Sequence, residues 1–232
     1  VSNTTNTRRD FMKAAGVAAA VAAAPAVHAA GNETIKVGLV GCGGRGRGAI
    51  NDCLRADKSV RVHAIADVFA DKAEGTVGVL KDGGAKDRVD IEGRVFSGLD
   101  AYKKVVDSGV NLVILATPPG FRPQHLEYAI NAGKHVFTEK PVAVDGPGIA
   151  KCIELAEVAK RNGKAVVAGT QRRHQKAYNE VYKRIADGLI GDIVGGRCAW
   201  NNDGIWFNKR KDGQSDVEYQ LRNWYHFLWL CG

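Results

Sequence analysis

Paired sulfur is the first thing missing. The 232-residue chain holds five cysteines (Cys42, Cys53, Cys152, Cys198 and Cys231), and no two of them stand in C-x-x-C spacing. An odd, unpatterned set encodes neither a disulfide framework nor a zinc site, so no metal centre is expected. A long basic block is missing too. The net charge is +8, but Arg8, Arg9, Lys13 and Asp10 fall in the first 29 residues, and the remainder carries 30 bases and 24 acids, a balance of +6. The densest run, "NKRK" at 208–211, reads as a solvated loop, and no nucleic-acid partner is expected. Arg45 and Arg47, nearest a glycine loop, suit a phosphorylated cofactor better. There is no internal repeat, and an alanine run near the start is the one low-complexity stretch. What is present, 45% hydrophobic and 25% charged residues, suits one medium or two small globular domains with a real core.

The alanine run belongs to an address. "TRRDFMK" precedes a weakly apolar stretch, Ala14 to Ala24, that is too short to span a bilayer comfortably. Small-x-small sites follow at "APA" and "VHA". The segment resembles a twin-arginine export signal at both arginines, Phe11 and Lys13. It implies residues 1–29 as a signal peptide, the twin-arginine machinery as a partner, and a periplasmic or otherwise exported protein. An alanine-rich helix belonging to the fold is the alternative, but its apolar residues show no face.

From Thr34 onward, strand and helix patterns alternate. Apolar runs at 34–40, 60–67, 94–96, 111–120, 134–141 and 164–171 are separated by helix-compatible segments at 48–56, 68–75, 99–109, 123–133 and 148–163. Alternation of this kind predicts parallel βαβ units, an α/β fold with a doubly wound sheet of the Rossmann type. Residues 30–168 make up that domain. Residues 169–232 are expected to begin a second α/β domain with a large open sheet; the segment 179–200 predicts a helix and a strand ahead of an aromatic-rich tail.

Two features of this sheet point to a dinucleotide. Gly41, Gly43 and Gly46 form G-x-G-x-x-G between the first strand and its helix, with Gly44 and Arg45 inside the loop. The first glycine permits the tight turn, the second lets a pyrophosphate approach the backbone, and the third lets helix and strand pack closely. Asp67 ends the second strand, 21 residues after Gly46, where an acid accepts hydrogen bonds from the adenosine ribose. Capping the next helix is its alternative role. An acid also repels a 2′-phosphate, so NAD is favoured over NADP. A third feature is "TEKP", which places Glu139, Lys140 and Pro141 at the C-terminal end of a strand. That is the ligand-binding end of a parallel sheet.

"VGLVGCGGRG", "AIAD", "ATPPGFRPQHLEYAINAGKHVFTEKP" and "VAGTQRRH" together resemble the glucose-fructose oxidoreductase / inositol dehydrogenase family, from about Ile35 to Ile193. The resemblance implies a Rossmann domain, an α/β second domain, and NAD(P)-dependent chemistry on sugar-like polyols. Thr117 and Pro118 would lie beside the nicotinamide half of the cofactor, and His125 near that loop unless it caps its helix. Glu139 would approach the nicotinamide ribose or carboxamide. Lys140 would face both ribose and substrate, stabilising alkoxide charge or relaying its proton. Gln171 would reach the cofactor, and Arg173, His174 and Trp206 are candidate substrate contacts. A homo-oligomer is expected of the full-length protein.

The family's acid/base histidine and its aspartate have no counterpart in the 232 residues. The expectation is therefore a fragment that is inactive alone. Two other functions share the same residues: an NAD-dependent glycosidase that oxidises its sugar transiently to ease elimination, and a non-catalytic cofactor-bound binding protein.

Overall fold

The computed structural model describes residues 34–232; the export-signal reading, on residues 1–29, lies outside the described residues. Six parallel strands form one sheet in the order β3-β2-β1-β4-β5-β6. They are β1 (Ile35–Val40), β2 (Val60–Asp67), β3 (Val95–Ser97), β4 (Leu112–Leu115), β5 (His135–Thr138) and β6 (Val166–Ala168). The order reverses at β1/β4, and ligands bind beyond the carboxyl ends of the strands at such a switch point.

Helices cover both faces because the strands are apolar on both. Successive side chains of a strand point to opposite faces. In β4, Val113 and Leu115 enter one core while Ile114 enters the other. The first core packs against α3 (Ala101–Asp107), α4 (Arg122–Asn131) and α5 (Gly146–Arg161). The second packs against α1 (Gly44–Ala56) and α2 (Ala70–Lys81). Val37, Leu39, Ile50, Val62, Ile65, Val105, Val113 and Leu115 are fully buried. A register shift between Val37 and Gly38 accommodates one extra residue of β2, so that Val37 faces Val62 and Gly38 faces Ala64.

Several strands are shorter than the apolar runs predict. The run at 111–120 yields a strand only to Leu115, and Pro119–Phe121 turn into a 3₁₀ helix. The next strand closes at Thr138, with one more ladder bond from Glu139 N to Leu115 O (2.9 Å). Prolines end both runs, having fixed φ and no N–H to pair.

Beyond β6 come a 3₁₀ turn (Gln171–Arg173), α6 (Lys176–Ala186), α7 (Asp216–Arg222) and, after a second 3₁₀ turn (Trp224–His226), α8 (Leu228–Cys231). The helix expected after Asn179 is present as α6, but the strand expected before Trp200 does not form. A strand is held by a neighbour that pairs its backbone. None of the described strands lies alongside, and Ile193 and Val194 point outward. α7 is tied back to α2: Arg222 pairs with Asp71 (3.2 Å) and lies 3.9 Å from the centre of the Phe69 ring.

Candidate cofactor and active site

A cavity of about 610 Å³ opens at the C-terminal edge of the sheet. Gly41, Gly43, Gly44, Arg45, Gly46, Asp67, Thr117, Pro118, His125 and Trp206 all line it. It therefore runs from the end of β2 to the loop after β4, passing the start of α1.

The three glycines differ in what surrounds them. Gly41 turns with φ +98°, and a Cβ there would sit 2.6 Å from the Ala116 carbonyl carbon. A Cβ on Gly46 would come within 1.9 Å of the Gly41 carbonyl oxygen, so only hydrogen fits between turn and helix. Around Gly43 the space is open to 4 Å, which is what a ligand approaching the backbone requires. α1 has neither a side-chain cap nor an acid in its first turn. Its first amides therefore lack intrahelical acceptors and present the positive end of the helix to an anion. This cradle fits a pyrophosphate.

Asp67 is held by both oxygens: Oδ2 accepts from Cys42 N (2.7 Å) and Oδ1 from Phe69 N (3.0 Å). It does not cap α2, whose N-cap is Phe69; the carboxylate instead pins the loop after β1 to the end of β2. Burial holds its pKa above the ordinary carboxylate value, against the two amide bonds. Cys42, inside the glycine loop, is buried with its Sγ 3.4 Å from Ala66 O. Burial and then Asp67 push that thiol up to about 12, so it is an inert small residue rather than a nucleophile.

At the other end of the cavity, His125 is buried in α4. The helix's N-cap is Phe121, so His125 is not a cap. Its ring stacks on Tyr102 (4.1 Å between centroids) and Phe121 (5.8 Å), and its Nδ1 lies 3.2 Å from Thr117 Oγ1. Burial, reinforced by Arg122, lowers its pKa to about 4, and the imidazole is neutral at physiological pH.

Glu139 is buried, and Arg45 grips it from the glycine loop, with Nε and Nη2 both 2.7 Å from Oε1. Lys140, the next residue, is exposed, and neither of them lines the cavity wall. Gln171, Arg173 and His174 lie on the exposed 3₁₀ turn after β6, at the same end of the sheet but outside the cavity. Trp206 is half exposed and clusters with Trp224 (5.7 Å) and Tyr225 (5.5 Å), which line the cavity with it.

Sequence reasoning missed two groups. Arg122 donates to the carbonyls of Thr117 (2.6 Å), Glu139 and Pro141; a lone arginine between an aromatic and a proline was its only signal. Trp224 and Tyr225 join Trp206 only because α7 docks on α2, which no local pattern foretells.

Residues 35–170 match the family described as "Oxidoreductase family, NAD-binding Rossmann fold" (Gfo/Idh/MocA), and residues 5–25 match the twin-arginine translocation signal sequence. An inositol 2-dehydrogenase of Serratia proteamaculans is 32% identical over 180 residues, 73% of this chain and 46% of that protein. A glycosyl hydrolase family 109 protein of Streptomyces coelicolor is 27% identical over 175 residues, covering 75% of this chain and 35% of that one. Among solved structures, the scyllo-inositol dehydrogenase of Lactobacillus casei with bound NAD(H) and scyllo-inositol superposes with a TM-score of 0.56 at 26% identity. That match covers 69% of this chain and 43% of the other. The chain spans about half the length of the inositol dehydrogenases it matches.

Proposed function

Since the chain belongs to the Gfo/Idh/MocA family of NAD-binding oxidoreductases, we propose that the protein is an exported, NAD-dependent oxidoreductase acting on a hydroxyl-bearing carbon of a sugar or cyclitol. One observation carries the cofactor half: the open face of Gly43, the uncapped start of α1 and Asp67 all meet on one cavity. The amides of α1 take the pyrophosphate. Asp67 takes the adenosine ribose, and its carboxylate disfavours a 2′-phosphate. The nicotinamide half lies toward Thr117 and Pro118. Bound there, NAD supplies the hydride acceptor.

Lys140 is the residue proposed for the chemistry. Its ammonium neutralises alkoxide charge as hydride leaves the carbon, or relays the hydroxyl proton. Glu139, fixed by Arg45, holds the base of that lysine in place. Trp206 offers a flat apolar surface for the C–H face of a ring substrate, while Gln171, Arg173 and His174 stand at the edge of the cleft for contacts made with the second domain. The sugar or cyclitol class is supported by the inositol dehydrogenases among the relatives. The twin-arginine match favours the periplasm as the place of action.

Single-turnover reduction of bound NAD by inositol, in the full-length protein, tests the reading. Lys140→Met should still bind NAD, yet transfer hydride roughly 10²–10⁴-fold more slowly, the usual worth of a positioned acid–base group. A variant as fast as the parent makes Lys140 a bystander. The glycosyl hydrolase relative favours one second reading, a glycosidase in which the cofactor is oxidised and reduced within each turnover. Net consumption of external NAD belongs to the dehydrogenase alone.

A further inference from the structure

Arg122 stands where stability alone would not put it. It is 4% exposed and opens α4, so its charge meets the positive end of the helix. Among the described residues no carboxylate lies within ion-pair distance of it, and its Nε has no hydrogen-bond partner. Burial lowers its pKa to about 10. What it does have is three carbonyl acceptors on two segments: Thr117 on the loop after β4, and Glu139 and Pro141 on either side of Lys140. Apart from this guanidinium, the backbone of the two segments is joined at this edge by the bond from Glu139 N to Leu115 O.

We infer that Arg122 is a positioning residue, which locks the Thr117 loop to the Glu139–Pro141 turn and thereby fixes where Lys140 enters the cleft. The inference rests on the hydride-transfer reading for its functional consequence, though not for its geometry. A planar fork with five donors spans carbonyls on two segments, whereas an ammonium at the same depth is a point charge that cannot hold both. The buried charge, offset only at longer range by the Glu139 carboxylate, is retained because a guanidinium closes all three contacts.

The test uses the full-length protein with Arg122→Gln, which removes the charge, and Arg122→Lys, which keeps it but loses the fork. Three quantities are read: exchange of the Glu139 amide, which bonds Leu115 O, NADH affinity from tryptophan quenching, and single-turnover reduction of bound NAD by inositol. In both variants exchange at the Glu139 amide should quicken about 10-fold or more while β1 and the interior of β4 keep their protection. Hydride transfer should fall about 10²-fold, as expected when a reacting group shifts by roughly an ångström, with NADH affinity little changed. Should Arg122→Gln fail to fold, Arg122→Lys decides alone, because it leaves the buried charge in place. Unchanged exchange at the Glu139 amide overturns the inference, as does a loss of protection spread evenly over the sheet. If the parent reduces no NAD, the functional reading fails, and the exchange arm still decides whether Arg122 locks the turn.

Discussion

Arg45 and Glu139 join the glycine loop to the end of β5: two guanidinium nitrogens lie 2.7 Å from one carboxylate oxygen. Their surroundings are unequal, since the side chain of Glu139 is 4% exposed and that of Arg45 47%. Removing Arg45 therefore strands a buried acceptor. Arg45→Met should destabilise the fold by about 1–3 kcal/mol, the cost of an unsatisfied buried group, with the half-exposed partner keeping it toward the lower end. Glu139→Gln keeps an acceptor for the same donors and should cost less. Urea unfolding of both variants checks the order; a larger loss in Glu139→Gln would show that the pair is not what holds the carboxylate.

His125 sets a pH dependence of stability. Its pKa falls from 6.5 in the unfolded chain to about 4 in the fold. Between those values the unfolded state binds the proton and the folded state does not, so stability is full above 6.5 and drains away as pH falls toward 4. The loss amounts to roughly 3 kcal/mol by the usual conversion. His125→Phe preserves a ring against Tyr102 and should flatten that slope. Denaturant midpoints measured from pH 7 to 4 read it directly, and an unchanged slope would assign the effect elsewhere.

Asp67 works in the opposite sense. Its folded pKa is raised by burial, so its own contribution to stability is present below 3.8 and is lost as pH rises through the folded value. The proposed ribose contact needs the carboxylate, however. NADH affinity should begin to fall on acidification at a pH above 3.8, while the contribution of Asp67 to the stability of the free protein improves. Asp67→Ser should weaken NAD by roughly 1.5–3 kcal/mol, as for a charge-assisted hydrogen bond, and narrow the preference over NADP. Calorimetric titrations with both cofactors across this range are the measurement. Equal NAD affinity in Asp67→Ser would reduce the carboxylate to a tie between Cys42 and Phe69.

The twin-arginine match at residues 5–25 predicts that export depends on Arg8 and Arg9. With both replaced by lysine, the full-length precursor should accumulate in the cytoplasm, as judged by fractionation and blotting. Equal yield outside the inner membrane would remove the twin-arginine route.

Apolar runs separated by helix-compatible segments placed all six strands of the sheet, and the glycine spacing with Asp67 marked one end of the cavity. Strand ends were blurred because an apolar run does not say where a proline will stop backbone pairing, as at Pro118 and Pro141. The strand expected before Trp200 was misplaced for a related reason: local apolar character favours a strand, but a neighbour must supply its hydrogen bonds.

The sequence alone determined the parallel sheet, because continuous apolar runs and the helical segments between them are local properties written residue by residue. It also determined the glycine loop, since Gly41 turns with φ +98° and the clash that excludes a side chain at Gly46 is with the Gly41 carbonyl oxygen of the same turn. Tertiary structure decided the rest. Arg45 meets Glu139 across 94 positions and Arg222 meets Asp71 across 151. Arg122 reaches both Thr117 and Pro141, and three aromatic rings close on one another in the cavity wall. Such contacts exist only once the sheet has brought distant loops to its C-terminal edge, where side-chain reach rather than sequence distance sets which groups meet.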